Sequence, residues 1–586
     1  MARLDPHSYN DSAQPEIASL KWKARVDFAS HELDAEAVLT LARAGEGPLD
    51  LDTRDLTISS VSAEDGRPLA YELHAPEPVL GARLSIDLPP GTLRVRVRYR
   101  TSPAASALQW LTPAQTTGGK HPFLFSQCQA VHARSIVPLQ DTPRVRLRFR
   151  AELCVPVELR GLMAASFVER RVEGDLAFET YEMPQPIPSY LLAFAIGDLA
   201  FRDLGPRSRV WAEREVLEQA AYEFAEVDAM LRKAEELFGP YEWERFDVLT
   251  MPHSFPYGGM ENPRLTFVTP TLLAGDRSLV NVLGHELAHS WTGNLVTNAT
   301  GEHFWINEGF TVFAERRIQE ALFGQDIAEL HAALGRRHLE QAIAHFRDRP
   351  ELTKLRTHLA GIDPDDVYSE VPYEKGYLFL RALEEHVGRA RFAAFLRRYV
   401  DTFRFRSITT EELIVFIERE LAGALTAVDA EVWLDGTGIP PNAPTPHSTR
   451  LDRLVAVGHK LPESSLAQGW TPTEWALYLE LLPRNTEPGF CDALERRFAL
   501  TSSRNYEVLV AWLALAAEAG YGPVLDRVEQ VLGQVGRLKY LKPLYLALAR
   551  RPESRERARR IFERHRSGYH PIAQQVVDGL LKKEGA

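Results

Sequence analysis

The chain has 586 residues, with 68 lysines and arginines against 80 aspartates and glutamates, so its formal net charge is −12. Hydrophobic residues make up 45% and charged residues 25% of the chain, which excludes a disordered, collagenous or disulfide-scaffold protein. The acidic balance gives no general electrostatic reason to bind nucleic acid or an anionic membrane. Cys128, Cys154 and Cys491 are too scattered for a disulfide framework. The first residues lack the apolar segment of a signal peptide, so we expect a cytoplasmic protein.

Two stretches in the first third of the chain alternate strictly between apolar and basic residues. Residues 93–100 and 144–150 each place apolar side chains on one face of a strand and arginines on the other. The arginine face is either a surface for an anionic ligand or, as we favour, a solvated sheet face whose charges discourage aggregation. Residues 89–91, Pro-Pro-Gly, indicate a turn between strands. We predict an antiparallel β domain over residues 1–200.

From Glu213 onward the apolar spacing is mainly helical, until a proline-rich segment interrupts it. Residues 439–449 include four prolines, a composition typical of a stiff, extended linker, although a long surface loop is the alternative. Beyond this segment we predict short helices joined by short turns, as in a layered, solenoid-like α domain over residues 450–586. The clearest of these helices are at residues 475–482, 507–519, 524–532 and 555–566.

Two histidines four residues apart lie in one apolar stretch that we predict to be helical. His285 and His289 would lie on the same helix face, where two imidazoles can bind one cation. Glu286 lies close enough to act as a general base without binding the metal itself. Asp276 or Ser278 is expected to cap this helix. The alternative is a helix whose histidines are ordinary core or surface residues, with hydrogen-bond partners and no metal ion.

A catalytic zinc ion usually has a third protein ligand and an open position. Eighteen residues separate His289 from Glu308, which opens a second helical pattern after the apolar residues 304–306. Glu308 would complete a His, His, Glu set, although an ordinary first-turn glutamate is the alternative. Glu315, farther along the same helix, is expected to orient one of the histidines as a hydrogen-bond acceptor. A metal ion with a glutamate base indicates hydrolysis but does not choose a substrate.

The sequence around these residues resembles peptidase family M1. Residues 258–262 read Gly-Gly-Met-Glu-Asn, which matches the substrate-binding exopeptidase motif of that family and lies upstream of the histidine pair. Residues 266–276 and 289–296 are similar, at nearly every position, to the leukotriene hydrolase and aminopeptidase B branch. The resemblance implies a multidomain α+β protein with an N-terminal antiparallel β domain and an all-α C-terminal domain. Between them, residues 201–438 would form a thermolysin-like mixed α/β zinc catalytic domain.

The resemblance also implies roles for individual residues. Tyr373 corresponds to the transition-state tyrosine of the family; without the resemblance, a tyrosine at a loop-to-helix junction would be ordinary. Glu261 corresponds to the residue that binds the α-amino group of the substrate, and Gln129 to the other residue on the amine side. Gly258 and Gly259 would let the backbone approach the peptide closely, and Met260 belongs to the same motif.

Two further pairs match the leukotriene hydrolase branch. Arg537 and Lys539 resemble its pair of cations that bind a substrate carboxylate, although two cations at a helix end are the alternative. Asp365 and Tyr368 fall where that branch lines a deep substrate pocket. Asp366 departs from the pattern expected there.

These residues together predict a zinc-dependent aminopeptidase, with one zinc ion per chain, that hydrolyses the N-terminal residue from short peptides. The alternative is an epoxide hydrolase acting on a fatty-acid epoxide, as a second or minor activity. A non-catalytic scaffold is poorly supported, because metal ligands, base, amine anchor and tyrosine occur together. A general endopeptidase is disfavoured because Glu261 favours a free amine. We expect a monomer whose partners are short peptides, and neither nucleic acid nor a membrane.

Overall fold

Three structural regions follow one another along residues 3–585, the part of the chain that the computed structural model describes. An N-terminal β domain precedes a mixed α/β domain and a helical C-terminal domain, which confirms the predicted fold class. None of the helices in residues 3–585 has the length and apolar composition that crossing a membrane requires.

The strands and helices are numbered in chain order. The strands are β1 (Ile17–Asp27), β2 (Glu32–Thr53), β3 (Thr57–Ala63), β4 (Tyr71–Leu73), β5 (Ala82–Arg100), β6 (Leu108–Leu111), β7 (Phe123–Ser126), β8 (Arg146–Pro156), β9 (Arg160–Met163), β10 (Ser166–Glu173), β11 (Leu176–Pro188), β12 (Phe194–Gly197), β13 (Leu199–Gly205), β14 (Ser208–Glu213), β15 (Asp247–Thr250), β16 (Gly259–Met260), β17 (Leu265–Val268), β18 (Val296–Asn298) and β19 (Arg406–Ile408). The helices are α1 (Leu217–Glu223), α2 (Val227–Phe238), α3 (Val280–Ala288), α4 (Phe304–Phe323), α5 (Gln325–His345), α6 (Gly376–Val387), α7 (Arg389–Phe403), α8 (Thr410–Glu420), α9 (Ala424–Ala427), α10 (Ala430–Leu434), α11 (Thr449–Val457), α12 (Ser464–Ala467), α13 (Pro472–Leu481), α14 (Pro488–Phe498), α15 (Tyr506–Glu518), α16 (Leu525–Gln534), α17 (Leu538–Ala549), α18 (Pro552–His565) and α19 (Pro571–Gly585).

An eight-stranded sheet forms the main part of the N-terminal domain. Its strand order is β10-β11-β8-β1-β2-β5-β3, with β4 beside β5. Neighbouring strands are antiparallel apart from the parallel pair β1–β8. The two alternating segments lie in β5 and β8, as predicted: Val95 and Val97 are buried against the domain core, whereas Arg98 and Arg100 are exposed. The exposed arginines of β5 thus lie on the solvated face of the sheet, whereas Arg146 of β8 donates hydrogen bonds to the central domain.

Residues 89–91 do not form the predicted turn between strands. β5 continues through them, and β2 runs beside it over the same length, with irregular pairing where Gly45 meets Thr92 and Gly47 meets Leu88. Gly91 has a φ of 82°, so the backbone bends locally without ending the strand. Proline is tolerated here because the ladder hydrogen bonds are already interrupted at such an irregularity.

A five-stranded sheet and a group of packed helices form the central domain. The sheet has the order β13-β14-β15-β17-β16, and its edge strand β16 consists of Gly259 and Met260 alone. Helix α4 packs against α3, α5 and α6. Residues 305–314 of α4 are buried throughout, so this helix has no solvent face over that stretch. α4 is therefore the central element against which the neighbouring helices are placed.

Two helix starts in this domain differ from the predictions. α3 begins after Leu279, and neither Asp276 nor Ser278 caps it, because the Asp276 carboxylate accepts hydrogen bonds from the backbone and hydroxyl of Ser278 instead. α4 begins at Phe304, so Glu308 lies in its second turn. The interpretation of Glu308 as a first-turn carboxylate favoured by the helix dipole is therefore wrong.

The four predicted C-terminal helices coincide with α13, α15, α16 and α18, which confirms the helical domain. Together with α17, these helices enclose a hydrophobic core, which includes Leu509, Leu513, Leu541 and Leu544. The proline-rich segment between α10 and α11 has no helix or strand, and its Pro444 carbonyl accepts a hydrogen bond from Arg336 of α5.

Candidate active site

Three side-chain atoms, from α3, from the residue directly after it and from α4, converge on one point. Nε2 of His285 and Nε2 of His289 are 3.1 Å apart, and each lies 3.5 Å from Oε2 of Glu308. In a tetrahedral zinc site with bonds of about 2.0–2.1 Å, two ligand atoms lie roughly 3.3 Å apart. The three predicted ligands therefore have the spacing that one zinc ion requires.

The chemistry of this donor set also fits a cation. Oε2 of Glu308 is buried, and no hydrogen-bond donor among residues 3–585 satisfies it. A buried carboxylate oxygen without a partner is strongly unfavourable unless a positive ion binds it. Two imidazoles and one carboxylate are a ligand set of catalytic zinc sites that keep an open position. The residues present therefore fit zinc.

The other ring nitrogens of the two histidines have partners that fix their orientation. Nδ1 of His285 lies 3.1 Å from Oε2 of Glu315, so the expected contact between Glu315 and a histidine is made. Nδ1 of His289 lies 3.2 Å from the carbonyl oxygen of Thr292 and 3.1 Å from Oγ1 of Thr311. Each imidazole is thereby turned so that its Nε2 faces the common point.

Sequence reasoning missed Thr311. It lies three residues after Glu308 and four before Glu315 on α4, so the three side chains share one helix face. That spacing was a signal that could have identified it, because a residue between a metal ligand and a histidine acceptor faces the same site. Its hydroxyl also lies 2.9 Å from the hydroxyl of Thr292, which links α4 to the end of α3.

Burial and crowding shift the pKa values of the acids around the two histidines. Burial, followed by the proximity of Glu308, raises the pKa of Glu261 to about 8. Burial also raises the pKa of Glu286 well above its usual range, and Glu261 and Glu308 add to the shift. Burial lowers the pKa of His289 well below its usual range, whereas at His285 burial is outweighed by the carboxylates of Glu308 and Glu315, which raise the pKa. A cation at the common point would favour the ionised form of all three carboxyl groups.

The two glycines of the Gly-Gly-Met-Glu segment allow close packing on both sides. A Cβ atom at Gly259 would overlap the carboxylate of Glu286, and one at Gly258 would lie 2.6 Å from Nη2 of Arg537. With Met260, Gly259 forms strand β16, which pairs with β17. The segment therefore runs between the candidate base and the candidate carboxylate anchor, in a space that only glycine leaves open.

Glu261 and Gln129 lie together although they come from different domains. Nε2 of Gln129 lies 3.5 Å from Oε1 of Glu261, and the carbonyl oxygen of Glu261 accepts a hydrogen bond of 2.7 Å from Asn294. Ligand atoms of Glu261, Glu286 and His289 all lie within 4.8 Å of one another. The carboxylate of Glu261 is therefore held beside the metal-ligand cluster, with its side chain buried.

Tyr373 lies next to His285 at the edge of the cluster. The two ring centroids are 6.1 Å apart with an interplanar angle of 24°. The hydroxyl of Tyr373 is 2.7 Å from that of Tyr368. Burial, followed by the negative charge of Glu308, raises the pKa of Tyr373 well above its usual range. The phenol therefore stays protonated and can donate a hydrogen bond.

Asp365 and Tyr368 line a largely apolar cavity of about 100 Å³, together with Phe304 and Trp305. Asp365 has a partner that was not predicted, since its Oδ2 lies 2.8 Å from Nε2 of His132 in the N-terminal domain. No local pattern connects two residues 233 positions apart, so sequence reasoning had no signal for this pair. Asp366, which departs from the expected pattern, accepts a hydrogen bond from Gln575 of α19.

Arg537 and Lys539 share one partner, Glu507 of α15, which sequence reasoning also missed. Nη1 of Arg537 and Nζ of Lys539 lie 3.4 Å and 2.8 Å from the Glu507 carboxylate. Burial opposes the ionisation of Glu507, but Lys539 and Arg537 outweigh it and lower its pKa to about 2. The side chain of Arg537 is 6% exposed and that of Lys539 45% exposed. Arg537 is therefore not a surface cation.

Three family models match the chain. They are described as the peptidase M1 N-terminal domain, at residues 5–191, the peptidase family M1 domain, at residues 222–433, and the leukotriene A4 hydrolase C-terminal domain, at residues 470–581. The three matches follow one another in the order of the three structural regions.

Individual relatives match nearly the whole chain. The leukotriene A-4 hydrolase of Xenopus laevis is 39% identical over 98% of this chain and 98% of its own length. The leucine aminopeptidase 2 of Neosartorya fischeri is 38% identical over 90% of this chain and 89% of its own length. The solved structure of yeast LTA4 hydrolase in complex with bestatin superposes with a TM-score of 0.91 at 31% identity, covering 99% of this chain and 97% of the other.

We expect Glu315→Gln to weaken zinc binding about 10–100-fold, because a neutral amide is a poorer acceptor for the Nδ1–H of His285. Competition with a chelator of known affinity measures the change. Glu320→Gln is the matched control: Glu320 lies on the same helix but pairs with Arg317 and Arg389. Equal zinc affinity for Glu315→Gln and the parent would contradict the role assigned to this carboxylate.

Proposed function

This chain belongs to peptidase family M1, and from that premise we propose that it is a zinc-dependent aminopeptidase that removes the N-terminal residue of short peptides. The observation that carries the proposal is the position of Glu261, a buried carboxylate beside a His, His, Glu metal site. A carboxylate fixed there suits a free ammonium group one residue away from the bond to be cleaved. The name of the Neosartorya fischeri relative, leucine aminopeptidase 2, supports the same activity.

His285, His289 and Glu308 would hold one zinc ion per chain. When bound, zinc polarises the substrate carbonyl and makes water more acidic. Glu315 and Thr311 keep the two imidazoles turned towards the site through their Nδ1 atoms. The protein thus supplies a donor set whose orientation is fixed before the metal binds.

Glu286 would act as the general base. It would take a proton from the attacking water and pass it to the amine that leaves when the peptide bond breaks. Burial alone would keep its carboxyl group protonated, and a cation held by the neighbouring donor set would restore the ionised form that can accept this proton. Its carboxylate packs against Gly259, which keeps it beside the strand along which the substrate would lie.

Tyr373 would donate a hydrogen bond to the oxyanion that forms as the carbonyl carbon becomes tetrahedral. Its phenol is protonated and lies beside His285, at the edge of the metal-ligand cluster. A donor aimed at a charge that exists only in the transition state contributes to turnover more than to substrate binding. Tyr368, in hydrogen-bond contact with Tyr373, would help to orient it.

Glu261 and Gln129 would bind the α-amino group of the substrate. One carboxylate and one amide at this place give the amine pocket a single negative charge. Gly258, Gly259 and Met260 would contribute backbone groups beside the first residues of the peptide, because β16 is an edge strand of its sheet.

Arg537 and Lys539 would bind the C-terminal carboxylate of a short substrate. Glu507 lies against both cations, so the three side chains together carry one net positive charge. That net charge attracts a single carboxylate group and leaves little attraction for a second anion. Peptides of about three residues would reach from Glu261 to Arg537.

A second, minor activity as an epoxide hydrolase is favoured by one observation, the apolar cavity lined by Asp365 and Tyr368. A fatty-acid epoxide would place its hydrocarbon chain in such a cavity and its carboxylate at Arg537. The name of the Xenopus laevis relative, leukotriene A-4 hydrolase, is consistent with this.

The proposal extends to the setting of the enzyme. We propose a cytoplasmic monomer whose domains comprise residues 1–200, 201–438 and 450–586, with residues 439–449 as the linker. The net charge of −12 supports the absence of nucleic-acid and anionic-membrane partners.

The test of aminopeptidase activity compares an aminoacyl anilide with its N-acetylated form. Acetylation removes the ammonium partner of Glu261, so kcat/KM should fall by about 10²–10³-fold, the cost of leaving one buried charge unpaired. In the Glu261→Gln variant this preference should largely disappear. Similar rates for the free and acetylated substrates in the parent would contradict an exopeptidase and favour cleavage within chains.

The test of the carboxylate anchor compares a tripeptide with the same tripeptide amidated at its C-terminus. The free acid should have a kcat/KM about 10–100-fold higher, since it gains a charge-assisted hydrogen bond. Arg537→Ala should erase that preference and spare aminoacyl anilides, which have no carboxylate.

Arg527→Ala is the matched control for this experiment, because Arg527 hydrogen-bonds Gln530 on the surface of α16. It should keep the preference for the free acid. Equal rates for the acid and the amide in the parent would contradict the assignment of Arg537.

A further inference from the structure

We propose that a buried ion pair between Arg316 of α4 and Glu374 positions Tyr373 for its hydrogen bond in the transition state. The inference rests on the proposed function, because it adds two residues that act through Tyr373. Neither Arg316 nor Glu374 belongs to the motifs that the sequence singled out as catalytic.

Tyr373 lies in an unusual piece of backbone. Residues Val371–Lys375 form a single turn of π-helix directly before α6. Such turns are rare and are found frequently at functional sites. The direction of the Tyr373 phenol depends on side chains that fasten the turn to its surroundings.

An ion pair joins the residue after Tyr373 to α4. Nη2 of Arg316 lies 2.7 Å from Oε1 and 2.8 Å from Oε2 of Glu374. The two side chains are 8% and 9% exposed, and the guanidinium lies 3.9 Å from the centroid of the Tyr377 ring. A buried ion pair gains little net stability over apolar residues of similar size, because both charges lose their hydration. What this pair supplies is a fixed position.

That position is defined relative to the metal site, because α4 is continuous. Glu308 and Glu315, whose carboxylates face the metal-ligand histidines, lie on the same helix as Arg316. A rigid helix that carries a metal ligand at one turn and the anchor of the tyrosine at another sets the distance between them. Displacements of about 1 Å at such a site can lower the rate about 10²-fold.

Two glycines provide the space for this attachment. A Cβ atom at Gly309 of α4 would lie 2.8 Å from Cα of Gly376 and 3.2 Å from the carbonyl oxygen of Pro372, so the turn packs directly on the helix backbone. A Cβ atom at Gly335 of α5 would overlap both the Glu374 carboxylate and the Arg316 guanidinium.

The last residue of the turn is also held in place, by hydrogen bonds. Lys375 is fully buried, and its Nζ donates hydrogen bonds to the carbonyl oxygens of Thr353, at 2.8 Å, and Gly436, at 2.7 Å. Tyr373 is thus followed by two residues that bind opposite parts of the domain. Glu374 is the one tied to the metal-site helix.

A neighbouring pair distinguishes positioning from ordinary stabilisation. Arg317, the next residue on α4, pairs with Glu384 of α6, which is also buried. This second pair joins α4 to α6 without contacting the turn that carries Tyr373. Glu384→Gln is therefore a matched control, with the same chemical change at the carboxylate that pairs with the neighbouring arginine of α4.

The test is a double-mutant cycle on the zinc-loaded full-length enzyme with an aminoacyl anilide. Tyr373→Phe removes the donor and should lower kcat about 10²–10³-fold. Glu374→Gln should lower kcat about 10–100-fold with KM changed less than about twofold, because only transition-state binding suffers. Added to Tyr373→Phe, Glu374→Gln should lower kcat less than about twofold further. Glu384→Gln should leave kcat unchanged in both backgrounds, and zinc content should equal that of the parent throughout.

The possible outcomes distinguish the proposed function of Tyr373 from the proposed positioning role of the ion pair. If Tyr373→Phe leaves kcat near that of the parent, the function assigned to Tyr373 fails, and the positioning role fails with it. If Tyr373→Phe is damaging but Glu374→Gln lowers kcat equally in both backgrounds, Tyr373 keeps its role and the positioning inference is overturned. Should Glu374→Gln not fold, Arg316→Lys, which keeps a cation in place but loses the guanidinium geometry, takes its place in the same cycle.

Discussion

Burial of three neighbouring carboxyl groups, those of Glu261, Glu286 and Glu308, is the physical constraint on which the proposed active site depends. Burial and crowding raise the pKa of each, so without a compensating charge they would hold protons and lose their function. A cation beside Glu308 favours the ionised form of all three. In the proposed mechanism, Glu308 then binds the metal ion, Glu286 acts as the base and Glu261 binds the amine of the substrate.

This constraint explains why the site is assembled from rigid parts. The proposed metal ligand Glu308, the histidine partners Thr311 and Glu315, and Arg316, which binds the residue after Tyr373, all lie on α4. This helix is buried along its first half. The C-terminal domain is joined to the same assembly through backbone hydrogen bonds: Gly536 and Leu538 donate to the carbonyls of His253 and Pro256, at 2.7 and 2.8 Å, just before the glycines proposed to bind substrate. These hydrogen bonds place Arg537, the proposed carboxylate anchor, next to the segment that leads to Glu261, the proposed amine anchor.

The sequence predicted the parts of this site that are local. His285, Glu286 and His289 could be placed because a helix brings residues four apart to one face, and the resemblance to peptidase family M1 extended that placement to Glu261 and Tyr373. The pairs His132–Asp365 and Arg316–Glu374 could not be foreseen, since each joins segments that meet only in the folded chain. Local signals also failed where packing overrode them, as at residues 89–91, where a turn pattern lies inside a continuous strand.

The central claim is that the cation and the base are separate functions held in one cluster. The most direct measurement is zinc content and turnover of Glu286→Gln, a change that keeps the shape of the side chain and removes its basicity. The account predicts zinc bound as in the parent, with kcat lowered by about 10²–10⁴-fold, the contribution typical of a positioned general base. Near-full turnover with zinc bound, or loss of the metal itself, would contradict it.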